Sequence, residues 1–382
     1  NEAASMAAAY RDGMISEGAH VIDAGQVGTE MLYFLVGSRG LDGGAMCTAS
    51  HNPKEYTGVK LVRKGALALS GDTGIGEIRR LVESGLGMAP GGGSHEEVDI
   101  WSDYRKKVMS FIDPALIKPM KIVVDGGNGM SGPMLKPILE DLGMELFELY
   151  FKPDGDFPGH EPNPLLEENR QLIIETVKRE KADLGMAWDG DADRCFFIDG
   201  SGTFCDGDFI CALLARAALK VEPGGTILYD PRSSRCVPDT VSAAGGRSDL
   251  SRVGHAFFKK RMREENAVFG GEVSGHYYFR DFYCADSGAL PALRLLELLS
   301  TDGDSLADLM EEFRSKYFIS GEINSECEDQ EATMEALVEM HPEAKITRLD
   351  GVSIDYEDWH FNVRPSNTEP LLRLNLESLV SR

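Results

Sequence analysis

The sequence is short of positive charge. Lys and Arg number 39 against 63 Asp and Glu, which gives a formal net charge of −24 over 382 residues. A surface this acidic repels the phosphate backbone of DNA or RNA, so nucleic acid is not an expected partner. Any phosphate that the protein binds must therefore be held by a local cluster of basic side chains.

Cysteine and long apolar runs are also scarce. The seven cysteines are an odd number without a CxxC pair, so neither a disulfide framework nor a zinc site is expected, and a reducing cytoplasm fits best. No apolar run reaches the ~18–20 residues needed to span a bilayer. The amino end shows no basic region followed by an apolar block, as a signal peptide would. We expect a cytoplasmic protein without a membrane partner, and the residues do not distinguish a monomer from a dimer.

What is present is an α/β pattern. Hydrophobic residues make up 42% of the chain, and β-rich runs alternate with helical patterns. Strands are predicted at 44–48, 121–125, 144–151, 183–188, 226–230 and in the AVF run ending at Phe269. Asp208 is predicted to cap one helix, and Ser305 with Asp308 forms a capping box for another, which ends near Phe318. Strands and turns from Leu349 to Leu376 predict a small α+β domain at the carboxyl end.

The sharpest local feature is the segment WDGDADR at 188–194. Asp189, Asp191 and Asp193 alternate directly after a predicted strand, and alternation directs their carboxylates towards one point, as a hard divalent cation requires. Arg194 adds a bidentate donor. An EF-hand is excluded, because its sixth position would be Arg194 instead of Gly and its twelfth Gly200 instead of Glu. The alternative is a solvated acidic turn.

A second feature is the segment CTASHNP at 47–53, where Ser50 and His51 follow a predicted strand. An exposed serine hydroxyl at such a turn can serve as a nucleophile or carry a phosphoryl group. Ordinary turn chemistry is the alternative, since Asn-Pro pairs favour turns. Lys60, ten residues after Ser50, is more typical of a surface lysine than of a catalyst.

Two further loops carry polar side chains in a compact pattern. In GGEVSGH (270–276), Glu272, Ser274 and His276 alternate and are suited to a polyol. In VRPSNTEP (363–370), a guanidinium, hydroxyls and turn N–H groups can surround an anion, and these groups belong to Arg364, Ser366, Asn367 and Thr368. Plain turns are the alternative for both loops.

Two motifs point to other functions. Gly127, Gly129 and Gly132 match the dinucleotide fingerprint GxGxxG after a strand, but the only acidic candidate on the next strand, Glu148, lies in its middle. We interpret the motif as a tight strand–helix turn. In KPDGDFPGHEPNP (152–164), the ligand-like side chains are Asp154, Asp156, His160 and Glu161. Its four prolines favour a rigid connection.

Taken in order, TASHNP, DGDADR, GEVSGH and RPSNTEP resemble the α-D-phosphohexomutase family, specifically its bacterial phosphomannomutase/phosphoglucomutase branch. The resemblance extends over nearly the whole chain. It implies three related α/β domains around a central cleft and a smaller C-terminal α+β domain, with the last domain closing over the cleft. We place these domains at 1–97, 98–203, 204–318 and 319–382. Family members also carry an amino-terminal strand and loop with an active-site arginine, so domain 1 is expected to lack that strand here.

The resemblance also implies the roles of the site residues. Ser50 would be the phosphoserine, with Asp189, Asp191 and Asp193 holding Mg²⁺ beside it, and Arg194 supporting the same phosphate. Lys60 matches the family's candidate general base, and His51 belongs to the serine loop. The substrate-binding positions would be Arg232, His255, Glu272, Ser274, His276, Arg364, Ser366, Asn367 and Thr368. A lysine is common where Arg232 stands.

The activity implied is the interconversion of hexose 1-phosphate and hexose 6-phosphate, with mannose or glucose as the sugar. It would pass through a hexose 1,6-bisphosphate, which also serves as the activator. Three alternatives stay open. A phosphoglucosamine mutase is disfavoured by Asn367 and Val273, a phosphotransferase of the haloacid-dehalogenase type would use Asp189 as its nucleophile, and a sugar-phosphate binder would not catalyse at all.

Overall fold

The computed structural model describes residues 3–85, 87–366 and 370–381. It divides into unit 1, formed by residues 1–204 and 281–303, and unit 2, formed by residues 205–280 and 304–382. Asn367 and Thr368 lie outside the described residues.

Helices and strands alternate through most of the chain. The helices are α1 (Ala3–Ser16), α2 (Thr29–Arg39), α3 (Ile75–Ser84), α4 (Trp101–Met109), α5 (Ser131–Asp141), α6 (Gln171–Glu180), α7 (Gly207–Val221), α8 (Cys236–Ala243), α9 (His255–Glu264), α10 (Ala289–Asp302), α11 (Leu306–Arg314) and α12 (Gln330–Met340).

The strands of the first half are β1 (His20–Asp23), β2 (Gly43–Cys47), β3 (Val59–Arg63), β4 (Leu67–Ala68), β5 (Ser94–Glu97), β6 (Lys121–Asp125), β7 (Glu145–Leu149), β8 (Leu184–Trp188), β9 (Cys195–Asp199) and β10 (Phe204–Cys205). The second half contributes β11 (Thr226–Tyr229), β12 (Arg247–Leu250), β13 (Phe269–Gly271), β14 (Tyr277–Phe279), β15 (Ala285–Asp286), β16 (Phe318–Glu326), β17 (Lys345–Thr347), β18 (Val352–Asp355), β19 (Trp359–Pro365) and β20 (Leu371–Ser378).

Unit 1 is built around the sheet that carries the acidic loop. Its strands run in the order β9-β8-β6-β7, with β6 parallel to β7 and β8, and β8 antiparallel to β9. Every residue of β8 and β9 is buried. Because the loop at 189–194 joins two fully buried strands, its backbone is fixed at both ends.

The serine loop belongs to a separate sheet of unit 1. Strands β2 and β3 form an antiparallel hairpin that places Met46 opposite Lys60, and β4 continues this sheet. The Thr48 N–H donates to the Gly58 carbonyl at 3.0 Å, which closes the base of the loop. Ser50 therefore projects from a loop whose two ends are held together.

Unit 2 contains two sheets of different character. In the first, β11 is parallel to β12 and β13, while β14 is antiparallel to β13. The second is the antiparallel sheet β16-β20-β19-β18-β17, which packs α12 over a core formed by Val352, Ile354, Phe361, Val363 and Leu372. The Arg235 guanidinium, just before α8, donates to the carbonyl of Glu357, between β18 and β19, at 2.7 Å.

The glycines of the GxGxxG match are explained by the protein's own packing. A Cβ on Gly129 would lie 2.4 Å from the Gly190 carbonyl oxygen, and one on Gly132 would clash with the Phe151 carbonyl. Gly127 has a φ of +52°, which favours glycine. These glycines let neighbouring backbones approach each other, so the predicted strand–helix turn is confirmed.

Three local predictions need correction. Strand β13 begins at Phe269 instead of ending there, and the helix expected to reach Phe318 is α11, which ends at Arg314. Helix α7 begins one residue before Asp208, with Asp206 at its N-cap. The Asp208 carboxylate instead accepts from the Ser234 N–H at 2.6 Å. The Ser305 cap of α11 is confirmed, because its hydroxyl accepts from the Asp308 N–H.

Among the described residues, none of the helices is both long enough and apolar enough to pass through a lipid bilayer.

A buried carboxylate ties α2 to two other elements of unit 1. Glu30 is fully buried and accepts a hydrogen bond from the Tyr104 hydroxyl of α4. The Gly288 N–H, at the start of α10, donates to the same carboxylate at 2.6 Å. Burial raises the pKa of Glu30 to about 7, although these donors favour its charged form.

We expect Tyr104→Phe to lower the free energy of unfolding by about 1–3 kcal/mol, because it removes one donor from a buried carboxylate. The loss should be larger at pH 8, where Glu30 is charged, than at pH 6. Urea denaturation at both pH values measures it. Tyr56→Phe is the control, since that ring is 64% exposed. Equal stability of the Tyr104 variant and the wild type at pH 8 would contradict the prediction.

Candidate active site

Unit 1 brings the serine loop and the acidic loop together. Ser50 Oγ lies 3.2 Å from Asp189 Oδ2 and 3.2 Å from His51 Nδ1. Ser50 has a φ of +54°, a left-handed conformation that is uncommon for a residue other than glycine. A Cβ on Gly190 would lie 2.5 Å from the Ser50 carbonyl oxygen, so the two loops are in backbone contact.

The three aspartates form one buried cluster. Asp189, Asp191 and Asp193 are at most 5% exposed, and one ligand oxygen of each lies within 4.8 Å of the others. Burial raises the pKa of Asp189 to about 7, and the other two carboxylates add to this shift against the opposing charge of Arg194. Asp189 therefore needs positive charge nearby to stay ionised.

Lys60 supplies part of that charge. Its Nζ donates to Asp191 at 2.7 Å and to Asp193 at 2.6 Å. Burial lowers the pKa of Lys60, but the two carboxylates outweigh burial and hold the pKa well above its ordinary value. In this arrangement Lys60 is an ammonium ion that balances the aspartates.

Sequence reasoning missed the two threonines that orient Asp191. The Thr29 and Thr48 hydroxyls donate to Asp191 Oδ2 at 2.6 and 3.2 Å. Thr48 stands inside the TASHNP motif, where its neighbour Ser50 drew attention, whereas no local pattern marks Thr29. Together with Lys60 they satisfy Oδ2 and leave the other oxygen, Oδ1, buried without a hydrogen-bond partner in the described chain.

Arg194 is positioned to bind an anion. Its Nε donates to Asp189 Oδ2 at 2.8 Å and its backbone N–H to Asp189 Oδ1 at 3.1 Å. The Nη2 atom is buried, and no acceptor for it exists among the described residues. The open Asp191 oxygen is of the kind that hard cations bind, and the open guanidinium nitrogen is of the kind that binds a phosphoryl oxygen. The buried triad could therefore hold a divalent metal ion.

Unit 2 places the sugar-loop residues beside a buried arginine. Strands β11 and β13 are parallel neighbours, so the loops after them meet at one edge of the sheet. Arg232 donates through Nε and Nη2 to Asp230 at 2.9 and 2.8 Å. Glu272, which is 1% exposed, lies with its Oε1 3.8 Å from Arg232 Nη2.

Glu272 is held by groups that the sequence did not indicate. Its Oε1 accepts from the Gly254 N–H at 2.7 Å, and the Tyr278 hydroxyl donates to its other oxygen. Burial raises the pKa of Glu272 above its ordinary value.

His276 stacks on Tyr278 with ring centroids 6.3 Å apart, and Ser274 lies half-buried in the same turn. His255 begins α9, where its Nδ1 is 3.3 Å from the buried Lys259 ammonium.

The last loop adds a further arginine to unit 2. Arg364, on β19, is 9% exposed and lies 3.4 Å from Glu322. Its Nε is buried without an acceptor in the part of the chain that is described. Burial and the positive charge of Arg232 both lower the pKa of Arg364. The Ser366 N–H donates to the Leu371 carbonyl at 2.8 Å. Guanidinium groups close enough to repel each other are suited to an anion.

The four predicted loops thus form two groups. In unit 1 the structure brings together Ser50, His51, Lys60, Asp189, Asp191, Asp193 and Arg194. Unit 2 carries Arg232, His255, Glu272, Ser274, His276, Arg364 and Ser366.

Family models match the chain in four consecutive segments. They describe the phosphoglucomutase/phosphomannomutase alpha/beta/alpha domains I, II and III at residues 2–86, 102–202 and 206–317, and the C-terminal domain at 322–381. This result confirms the expected three α/β domains followed by a smaller C-terminal domain.

Curated relatives cover almost the whole chain. It is 45% identical over 372 residues to "Phosphohexose mutases" of Xanthomonas campestris pv. campestris (strain B100), covering 96% of this chain and 82% of that protein. It is also 45% identical over 379 residues to a phosphomannomutase of Vibrio cholerae, covering 97% of this chain and 82% of the relative.

A solved structure agrees. The crystal structure of a phosphoglucomutase/phosphomannomutase family protein from Burkholderia thailandensis superimposes with a TM-score of 0.85 at 32% identity, covering 96% of this chain and 81% of that one. Motifs, fold and relatives lead to one conclusion: the chain belongs to the phosphoglucomutase/phosphomannomutase family.

Proposed function

We propose that the chain interconverts hexose 1-phosphate and hexose 6-phosphate, of mannose or glucose, through a phosphoryl group carried on Ser50. The observation that carries the proposal is the contact of Ser50 Oγ with Asp189 at 3.2 Å inside a buried acidic cluster. The family relationship supports the same activity. The division into domains at 1–97, 98–203, 204–318 and 319–382 is part of the proposal, and none of the matched segments crosses one of its boundaries.

Charge explains why this cluster suits phosphoryl transfer. Lys60 and Arg194 donate to the three aspartates, and a phosphoryl group on Ser50 would add about −1.5 to −2 charge. We propose that Mg²⁺ is held by Asp189, Asp191, Asp193 and the Ser50 phosphoryl oxygen. When bound, it would neutralise the charge that develops on the transferring group and its leaving oxygen.

The side chains of the serine loop would handle the phosphoryl group itself. Transfer breaks the P–O bond to Ser50 Oγ and forms one to the free hydroxyl of the sugar, which gives a hexose 1,6-bisphosphate. After this intermediate turns over, its other phosphoryl group returns to Ser50. Arg194, through its open Nη2, would bind the transferring group, and His51 would hydrogen-bond the serine oxygen.

Lys60 is the proposed general base for the sugar hydroxyl. An ammonium that donates to two carboxylates has no lone pair with which to accept a proton. The base role therefore requires that Lys60 be released from Asp191 and Asp193. A lysine that is buried and relieved of carboxylate partners loses its proton more readily, which is the property a general base needs.

The other predicted site residues lie in unit 2. We propose that Glu272, Ser274 and His276 hydrogen-bond the sugar hydroxyls, with Arg232 and His255 as further contacts. Arg364 and Ser366, together with Asn367 and Thr368, would bind the phosphate that does not react. A hexose 1,6-bisphosphate would act as the activator, because it transfers a phosphoryl group to unphosphorylated Ser50.

Ser50→Ala should abolish interconversion and the gain of one phosphoryl group after incubation with glucose 1,6-bisphosphate, as measured by intact-protein mass spectrometry. Ser84→Ala, on α3, is the matched control and should behave like the wild type. If the Ser50→Ala variant still gains a phosphoryl group and hydroxylamine releases it, Asp189 would be the nucleophile instead. Failure of the wild type to interconvert the two phosphates would leave only sugar-phosphate binding.

Asp191→Asn should weaken binding of Mg²⁺, because Oδ1 of Asp191 is buried and accepts no hydrogen bond from the described residues. A ligand at one hundred times its Kd stabilises the folded state by about 2.7 kcal/mol. Thermal unfolding of the wild type should therefore shift upward with MgCl₂, and that of the variant should shift less. Asp304→Asn, outside the site, is the control, and KCl at matched ionic strength corrects for screening. If MgCl₂ shifts the unfolding temperature of Asp191→Asn as much as that of Asp304→Asn, the result would argue against this metal site.

Arg364→Ala should raise the KM for the hexose phosphate about 10- to 100-fold, the value of charge-assisted hydrogen bonds to a phosphate. The phosphoryl group already on Ser50 should remain. Steady-state kinetics and intact mass measure the two effects. Arg348→Ala removes an arginine that pairs with Glu335 at the surface, and its KM should not change. An unaltered KM in Arg364→Ala would exclude this residue from the phosphate site.

A further inference from the structure

The Pro-rich segment 152–164, which the proposed chemistry does not use, packs against the acidic loop. The Pro162 ring is buried, and its Cγ lies 3.2 Å from the position that a Cβ on Gly190 would occupy. The same Cβ position is 2.5 Å from the Ser50 carbonyl oxygen. Gly190 is thus enclosed between Pro162 and the serine loop, with no space for a side chain.

His160, two residues before Pro162, attaches the segment to β6. The Nε2 atom of His160 is 3.0 Å from Asp125 Oδ2, and its Nδ1 is 2.7 Å from the Glu161 carbonyl oxygen. Asp125 ends β6, is 1% exposed and also accepts from the Gly127 N–H at 2.9 Å. The segment is therefore anchored to the end of a buried strand of the same sheet that carries the acidic loop.

Both ring nitrogens of His160 face acceptors. A neutral imidazole has one N–H and one lone pair. In that form, one ring nitrogen would face an acceptor oxygen with its own lone pair. The imidazolium donates at both positions. In keeping with this geometry, the pKa of His160 is raised, because the hydrogen bond and charge of Asp125 outweigh the opposing effect of burial.

Asn128 fastens the other end of the segment. Its side-chain amide donates to the Lys152 carbonyl at 3.0 Å, and its Oδ1 accepts from the Gly159 N–H at 3.3 Å. The His160 ring packs edge-on against Tyr150 with centroids 5.2 Å apart. These contacts hold the segment in place where Pro162 packs against Gly190 of the acidic loop.

We infer that His160, paired with Asp125, is a positioning residue for phosphoryl transfer. It holds Pro162 on Gly190 and thereby sets the distance between the Ser50 hydroxyl and the aspartate carboxylates. Transfer between groups held in line is sensitive to displacements near 1 Å, which can cost about 100-fold in rate. The inference rests on the proposed function, because the rate concerned is that of transfer from Ser50.

Three substitutions of His160 separate its two contacts. Gln places its amide nitrogen near the Nε2 position and retains a donor to Asp125, whereas Asn retains only the donor to Glu161, and Ala retains neither. We expect His160→Asn and His160→Ala to lower kcat about 10- to 100-fold with little change in KM. His160→Gln should recover most of the rate. His20→Ala, an exposed histidine of the same unit, is the control.

The pairing itself is tested by a double-mutant cycle. If His160 acts through Asp125, the variant with both His160→Asn and Asp125→Asn should be no slower than the slower single variant. Circular dichroism checks that each variant folds. Should His160→Ala not fold, the Asn and Gln variants decide the question. The rate of Ser50 phosphorylation by glucose 1,6-bisphosphate, followed by intact mass, should fall in parallel with kcat.

Folded His160→Asn with wild-type kcat, or a loss that appears in KM alone, would overturn the inference. So would equal losses in the Gln and Asn variants. A wild-type chain that does not interconvert hexose phosphates would instead refute the proposed function, so the two failures are distinguishable.

Discussion

The chemistry of this protein depends on keeping three carboxylates charged in a place from which water is nearly excluded. Asp189, Asp191 and Asp193 follow a fully buried strand, and there desolvation and the two neighbouring carboxylates raise the pKa of Asp189. Lys60 and Arg194 oppose this tendency only in part. This need for positive charge is the physical reason for proposing a cation beside Ser50, and it accounts for the hydrogen bonds that Thr29, Thr48 and Lys60 donate to Asp191.

Unit 2 instead places two arginines close to each other. Arg232 and Arg364 are both buried, and the charge of one lowers the pKa of the other. Carboxylates compensate the two arginines, but Arg364 retains a buried nitrogen without an acceptor among the described residues. An overall net charge of −24 thus coexists with local sites of positive charge, which is what the binding of a phosphate by an acidic protein requires.

Much of this was accessible from the sequence, because strand ends and polar loops are local patterns. The acidic loop, the serine loop and the strand at 121–125 were predicted where the structure has them. The partners of those loops were not, since they come from distant parts of the chain: Thr29 binds Asp191 across 162 positions. His160 appeared as a possible ligand in a rigid connection, and only the fold shows that Asp125 is its partner.

Errors in the predicted elements have a similar origin. The strand at Phe269 was placed two residues too early because its buried residues include Gly270 and Gly271, which lack the β-branched or aromatic side chains that indicate strands. Asp is a common residue at helix N-caps, but the carboxylate of Asp208 accepts from the Ser234 N–H of another loop instead. In both cases tertiary contacts decided between local alternatives.

The hairpin of β2 and β3 has a consequence for how this site tolerates change. Side chains alternate between the two faces of a strand, so a shift of the pairing by one residue would turn Lys60 away from the aspartates. The nine residues between Thr48 and Gly58 belong to no strand and carry no such constraint on pairing, and a hydrogen bond from the Thr48 N–H to the Gly58 carbonyl closes their base. Insertions are therefore tolerable at the exposed Lys54–Tyr56 tip, whereas the strands on either side must keep their length.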